Sequence, residues 1–278
     1  MVKDKEYEHI YVEKVPEKSY AVINMNRPQK LNAIQVQTMN EIAEALETME
    51  FNKKIRCVVL RGTKNYTKKP SFSAGADLSG QKMPRGFKMN IPAHGALANY
   101  RMHKAFDMIE EFPKPLIAAV DGFALGGGCE ITLVCDLVLA TRRSKFGFPE
   151  IHRGIFPGAG GTQRMVRRIG VNRALEMCFY GEHYSAETMQ QWGHVNFLCN
   201  DGDEFEKLID EKASKLASLP TTSLFVIKKC VKFGTQVPTN IGLMFERLGF
   251  GVNSGSSDVM EGMTAFMQKR EPKFTGGM

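Results

Sequence analysis

Several chemistries are missing from this 278-residue chain before any is found. No GxGxxG follows a strand-like run, and GxxxxGK[ST], GxSxG and HExxH are all absent. Dinucleotide-fold, P-loop, serine-hydrolase and zinc-protease readings therefore lose their usual support. The six cysteines (Cys57, Cys129, Cys135, Cys178, Cys199, Cys230) form no CxxC pair. Most lie in apolar runs, so they read as small, reduced, buried residues of a cytoplasmic protein. No apolar run approaches the roughly 20 residues that a bilayer demands. The most apolar region, residues 115–141, is cut by Asp121, Glu130 and Asp136. The first residues, MVKDKEYEHIYVEK, carry both charge signs and lack the apolar stretch of a secretory signal. His152, two residues beyond Glu150, is too little for a metal site, and no metal is expected.

What is present suits a globular fold with a sizeable core: 43% hydrophobic and 24% charged residues, with no monotonous stretch. Lysine plus arginine number 37 against 30 acidic residues, giving a net charge of +7 and a pI near 9.0. Such a balance favours anionic partners. The basic residues are scattered, and no lysine- or arginine-rich helical stripe appears, so a small acidic ligand is expected rather than nucleic acid.

Strand-like runs at Ile10–Val15 and Tyr20–Met25 flank a Pro16-Glu17 turn. Asn32 is placed to cap an amphipathic helix carrying Met39, Ile42, Leu46 and Met49, and residues 55–60 form a continuous apolar strand. A helix is expected over 98–111, strands over 116–120 and 136–140, and helices over 222–233 and 240–270. The strand–helix alternation predicts α/β layer packing. It gives way near residue 200 to an all-helical pattern, dividing the chain into 1–200 and 201–278. No internal repeat is visible as sequence identity.

Three segments carry the chemistry. Ser73-Ala74-Gly75-Ala76-Asp77 is small enough for backbone to approach a ligand closely, although a plain surface turn would look the same. In Ala124-Leu125-Gly126-Gly127-Gly128-Cys129-Glu130, three glycines open an apolar helix and free its first amides toward an anion. Glu130 lies among Cys129, Ile131 and Leu133, and burying a carboxylate there is costly unless it has a role. Glu150, in FGFPEI, is a second carboxylate among apolar neighbours, followed by the amide-rich PGAGGT. Two acids and free amides in a basic surround can polarise a carbonyl and move protons beside it.

These segments, together with NRPQKLNAI, AAVDGFALGGGCE, FGFPEIHRGIFPGAGGTQR and EGMTAFMQKREPKF, resemble the crotonase (enoyl-CoA hydratase/isomerase) superfamily over nearly the whole chain. The resemblance implies an α/β fold: a spiral of repeated ββα units with a helical C-terminal trimerisation region, assembled as a homotrimer or as a homohexamer of paired trimers. It implies an acyl-CoA thioester substrate, with no separate cofactor and no membrane. It places an oxyanion hole at the backbone amides of Ala76 and Gly127, acid–base roles at Glu130 and Glu150, and water positioning at Gly158. Coenzyme A contacts fall on Ala74, Ala76, Asp77 and Leu78, with Phe266 and Lys269 from a neighbouring subunit. Where some hydratases carry a lysine after the GAD segment this chain has Ser79, leaving Lys68, Lys69 or Lys82 for the phosphates. Retention of both acids is the hydratase pattern, acting on short-chain 2-enoyl thioesters such as crotonyl- or acryloyl-CoA and, in reverse, dehydrating 3-hydroxyacyl-CoA. Enoyl-CoA isomerisation and RNA binding by a hydratase homologue are the alternatives.

Overall fold

A computed structural model describes residues 5–64, 66, 69–77, 79, 88 and 90–276. Among these, two sheets carry the fold. The first contains β1 (Ile10–Val15), β2 (Tyr20–Met25), β3 (Cys57–Gly62), β5 (Leu116–Val120), β7 (Leu137–Thr141) and β10 (Phe197–Cys199), side by side in that order. Only β1 is antiparallel to its neighbour. The second is small: β4 (Ser71–Ser73), β6 (Phe123–Leu125) and β8 (Lys145–Gly147) run parallel, and β9 (Tyr184–Ser185) closes it antiparallel.

The connections show the repeat that sequence identity hides. β3 leads to β4 and then to α2 (Pro92–Glu111); β5 leads to β6 and α3 (Gly127–Val134); β7 leads to β8 and, through a 3-10 turn at Pro149–Arg153, to α4 (Gly161–Ile169). Each ββα unit lays one strand beside the previous one in both sheets, winding the spiral that the resemblance implies. The physical cause is alternation. In β2, Ala21, Ile23 and Met25 face the main core, while Tyr20 and Val22 face the other side. Val58 and Leu60 of β3, against Cys57 and Val59, repeat the split. A parallel sheet apolar on both faces must be covered on both. The main core is capped by α1 (Val36–Glu50), α2 and α3; the opposite face is covered by α7 (Asp203–Ala217) through Phe205, Ile209, Ala213 and Ala217.

The change of pattern near residue 200 thus falls just before a helix that packs on the sheet. Beyond it, α8 (Thr221–Gly234), α9 (Thr239–Ser254) and α10 (Ser257–Gln268) form a helical layer, and α9 buries no residue. The continuous helix expected over 240–270 breaks at Gly255-Ser256, where the Ser256 hydroxyl accepts from the Val259 amide and caps α10.

Asn32 does not cap α1. It adopts φ +54°, and its side chain accepts from the Arg27 amide while donating to the Ser71 carbonyl. The cap position is Gln35, whose amide donates to the Thr38 hydroxyl. The asparagine is spent on tying its loop to β4, a partner 39 residues away that local sequence does not reveal.

Candidate active site

The site is built where β4 and β6 end. Beyond β4, Ala76 forms a lone parallel bridge with Ile34. The bridge uses the Gly75 carbonyl, which accepts from Ile34 N–H at 2.8 Å, and the Asp77 N–H, which donates to Ile34 O at 2.8 Å. Backbone groups alternate in direction along an extended segment. The Ala76 N–H therefore points away from Ile34, and it donates to no described residue. After β6, Gly126 turns the chain at φ +51°, ψ −124°, a conformation essentially reserved for glycine, and α3 begins. The Gly127 N–H is one of the helix's unsatisfied first amides. A Cβ placed on Gly127 would stand 3.8 Å from Ala76 N, so the two free amides are neighbours. Gly128 permits this approach, since a Cβ there would come within 2.4 Å of the Ser73 carbonyl.

Glu130 follows in the first turn of α3 and is 3% exposed. Its Oε1 accepts from the amides of Ala159 at 2.7 Å and Gly161 at 2.8 Å, the second being the N-terminus of α4. Burial raises its pKa to about 7, working against those two amides and the nearby Arg164 guanidinium, with the charge of Glu150 adding to the rise. Glu150 lies in the 3-10 turn rather than at a strand end. Burial raises its pKa too, opposed by a backbone hydrogen bond and Arg153. Its Oε2 is buried and, among the described residues, accepts no hydrogen bond.

The structure brings both acids close to the Gly126–Gly127 peptide. Glu150 Oε1 lies 2.7 Å from where a Cβ on Gly126 would stand, and Glu130 Oε2 lies 4.0 Å from one on Gly127. Desolvation is the largest cause of the upward shift in both acids.

The remaining candidates divide. Gly158 neighbours the Glu130-bound loop, and its carbonyl accepts from His103 Nε2. Ala74 is half-buried, with its amide spent on the Leu31 carbonyl. Asp77 is buried with both oxygens occupied: Oδ2 accepts from Arg27 Nη2 at 2.8 Å and Gln35 Nε2 at 3.0 Å, and Oδ1 accepts from the Ser79 hydroxyl at 2.7 Å. That leaves its side chain committed to holding two loops together, and Ser79 is part of the same cluster. Leu78, Lys68 and Lys82 lie outside the described residues. Lys69 sits over the Phe123 ring. Phe266 and Lys269 lie at the end of α10, where Phe266 is 82% exposed, and no described contact joins them to the acids. A cavity of about 740 Å³ lies beside α8 and α4, behind the Glu130-bound loop, with His103, Gly160 and Arg164 in its wall, and neither acid lines it. Among the described residues no cluster of histidine, cysteine, aspartate and glutamate could hold a metal ion, and no helix is long and apolar enough to cross a membrane.

Sequence reasoning missed Arg27, Gln35, His103 and Arg164. Arg27, Gln35 and His103 act on loops distant in the chain, and Arg164 ties its own neighbouring loop to acids more than 50 residues away. Only the guanidinium groups offered a signal, as basic residues in motif segments.

Two neighbouring free amides beside two desolvated carboxylates are an arrangement able to polarise a carbonyl and exchange protons next to it. The chain belongs to the enoyl-CoA hydratase/isomerase family, whose model matches residues 16–277. It is 35% identical over 266 residues to the short-chain-enoyl-CoA hydratase of Clostridium acetobutylicum, covering 96% of this chain and 97% of that one. It is 34% identical over 273 residues to the crotonyl-CoA hydratase of Syntrophomonas wolfei, covering 96% and 98%. The crystal structure of an enoyl-CoA hydratase subunit from Geobacillus kaustophilus superposes with a TM-score of 0.87 at 36% identity, covering 98% of this chain and 100% of that one.

Proposed function

We propose that this protein is a hydro-lyase that adds water reversibly across the 2,3 double bond of short-chain 2-enoyl-CoA thioesters, crotonyl-CoA foremost. The observation that carries the reading is the unequal treatment of two acids close to one glycine peptide. Glu130 is held by two amides at a helix N-terminus, which oppose the burial that raises its pKa; Glu150 presents a buried oxygen that accepts from no described residue, so nothing on that oxygen opposes its protonated form.

The thioester oxygen binds the N–H groups of Ala76 and Gly127, which draw electron density from the double bond. Glu130 takes a proton from a water held between the acids, aided by the Gly158 amide, and the oxygen bonds to C3. The negative charge passes to the thioester oxygen as an enolate, and Glu150 delivers a proton to C2. The reverse sequence dehydrates a 3-hydroxyacyl thioester. Each atom comes from substrate, water or these side chains, so the reading includes no separate cofactor. One oxyanion donor is worth about 3 kcal/mol in such sites.

The backbone from Ala74 to Ala76 lines the coenzyme's path, and Phe266 and Lys269 serve a neighbouring subunit's site. Exposed apolar side chains on α9 and α10 (Leu243, Phe245, Leu248, Phe250, Val252, Met263) support a trimer or paired trimers. The positive net charge suits the coenzyme's phosphates. Six free thiols suit a reducing, cytoplasmic setting.

Steady-state kinetics with a series of 2-enoyl-CoA thioesters tests the assignment, with wild type beside Glu130→Gln and Glu150→Gln. Both variants are expected to lose about 10²–10⁴-fold in kcat while still binding coenzyme A. Near-native hydration by either variant removes that residue's role. Double-bond migration without hydration by the wild type points to an isomerase instead.

A further inference from the structure

We propose that His103 of α2 is a positioning residue for Glu130, acting through the peptide group that joins Gly158 to Ala159. The inference rests on the reading of Glu130 as the proton acceptor. The Ala159 N–H donates to Glu130 Oε1 at 2.7 Å. The carbonyl of that same peptide belongs to Gly158, and it accepts from His103 Nε2 at 2.5 Å. One planar amide thus faces the acid with its donor and is gripped by α2 at its acceptor. Because the amide is rigid, pinning its oxygen sets the direction of its N–H. A donor on the oxygen also polarises the group and strengthens the hydrogen bond at the other end.

The loop needs such support. Gly158, Gly160 and Gly161 give it little stiffness, and Gly160 sits at φ +99°. The next peptide is held in the same manner. The Ala159 carbonyl accepts from Arg164 Nη1 at 3.1 Å, and that guanidinium is anchored on α2 by Glu110 at 2.7 Å and Asp107 at 3.1 Å. α2 therefore fixes two successive peptides, of which the first delivers a proton-bearing nitrogen to Glu130. Gly161 N–H, the second donor to the acid, belongs to α4 itself.

The charged and titratable groups facing Glu130 are few. Glu150 comes from the 3-10 turn, Arg164 from α4, the Cys178 thiol from α5 (Val171–Tyr180), and the Cys129 thiol from its own helix. His103 reaches the acid only through the peptide. Its loss weakens one amide donor to the ionised form, which raises the acid's proton affinity.

The test is the pH dependence of kcat for crotonyl-CoA hydration by wild type, His103→Phe, His103→Gln and Glu130→Gln, with thermal unfolding of each. His103→Phe is expected to lower kcat about tenfold with KM within about twofold. The acidic limb of its profile should move to higher pH. His103→Gln, whose side-chain amide can donate to the same carbonyl, should recover most of kcat and return the limb. An unshifted limb in His103→Phe, or a kcat loss that merely follows a lowered melting temperature, overturns the proposal. The failure of its premise looks different: Glu130→Gln would then stay active, whereas a failed positioning role leaves Glu130→Gln inactive beside an unaltered His103→Phe.

Discussion

Asp77 and Glu130 occupy successive turns of the spiral, one beside each free amide, and are 5% and 3% exposed. Their surroundings have opposite effects. Asp77 meets Ser79, Arg27 and Gln35, and the hydrogen bonds from Ser79 and then Arg27 hold its carboxyl far below the usual range. Glu130 meets two amides, with the Glu150 carboxyl and the Arg164 guanidinium nearby, and burial lifts it to about 7. Equal burial therefore says little about role. A carboxylate with both oxygens hydrogen-bonded, one of them to a guanidinium, is held ionised; one left short of partners keeps its proton closer to neutrality.

The largest effect expected from breaking this contrast is on the paired carboxylate. Asp77→Ala leaves the Arg27 guanidinium, itself mostly buried, without its acid and unties the loop bearing Ala76. A loss of about 3 kcal/mol is expected in denaturant titration, with hydration falling alongside. Unchanged stability would show that the pair is dispensable. Next is Gly126→Ala, which forces a side chain into φ +51° and places its Cβ 2.7 Å from Glu150 Oε1. About 2 kcal/mol of strain is expected. The flexible carboxylate moves aside, so turnover should fall more than coenzyme A affinity; equal losses in both would contradict a local displacement of Glu150.

The smallest effect sharpens the comparison through pH. Glu130 in the folded protein keeps its proton between its ordinary value of 4.5 and about 7, so the native state binds more protons than the unfolded chain in that window. Stability from this group is complete below the window and falls as pH rises through it. Asp77 has the opposite sign: its depressed pKa stabilises at neutral pH, and that contribution fades on acidification. Glu130→Gln keeps an oxygen for the two amides and carries no charge. It should therefore be more stable than wild type at pH 8, by on the order of 2 kcal/mol, and about equal at pH 5. Melting curves at the two pH values decide this, and a constant difference would place the stability cost somewhere other than ionisation.

Strands β1, β2 and β5 were legible residue for residue, because each is a short apolar or alternating run bounded by proline, glycine or polar turns. Glu130 and Glu150 stood out because carboxylates are rare among such neighbours. The ββα repeat was not legible without a known family to compare, since its units share geometry and not residues. Asn32 reads locally as a helix cap because the partner that defines it, Ser71, is 39 residues away, and the Arg27 that pairs with Asp77 is likewise 50 residues away. His103 carried no signal at all.

Local sequence by itself determined the elements, the buried two-faced sheet and the glycines that leave amides free, since these follow from side-chain periodicity and backbone freedom within a few residues. Tertiary structure alone decided which carboxylate is fully paired and which is desolvated and raised in pKa. Charge state depends on how many donors and how much water surround an atom, and those are assembled from segments that only the wound chain brings together.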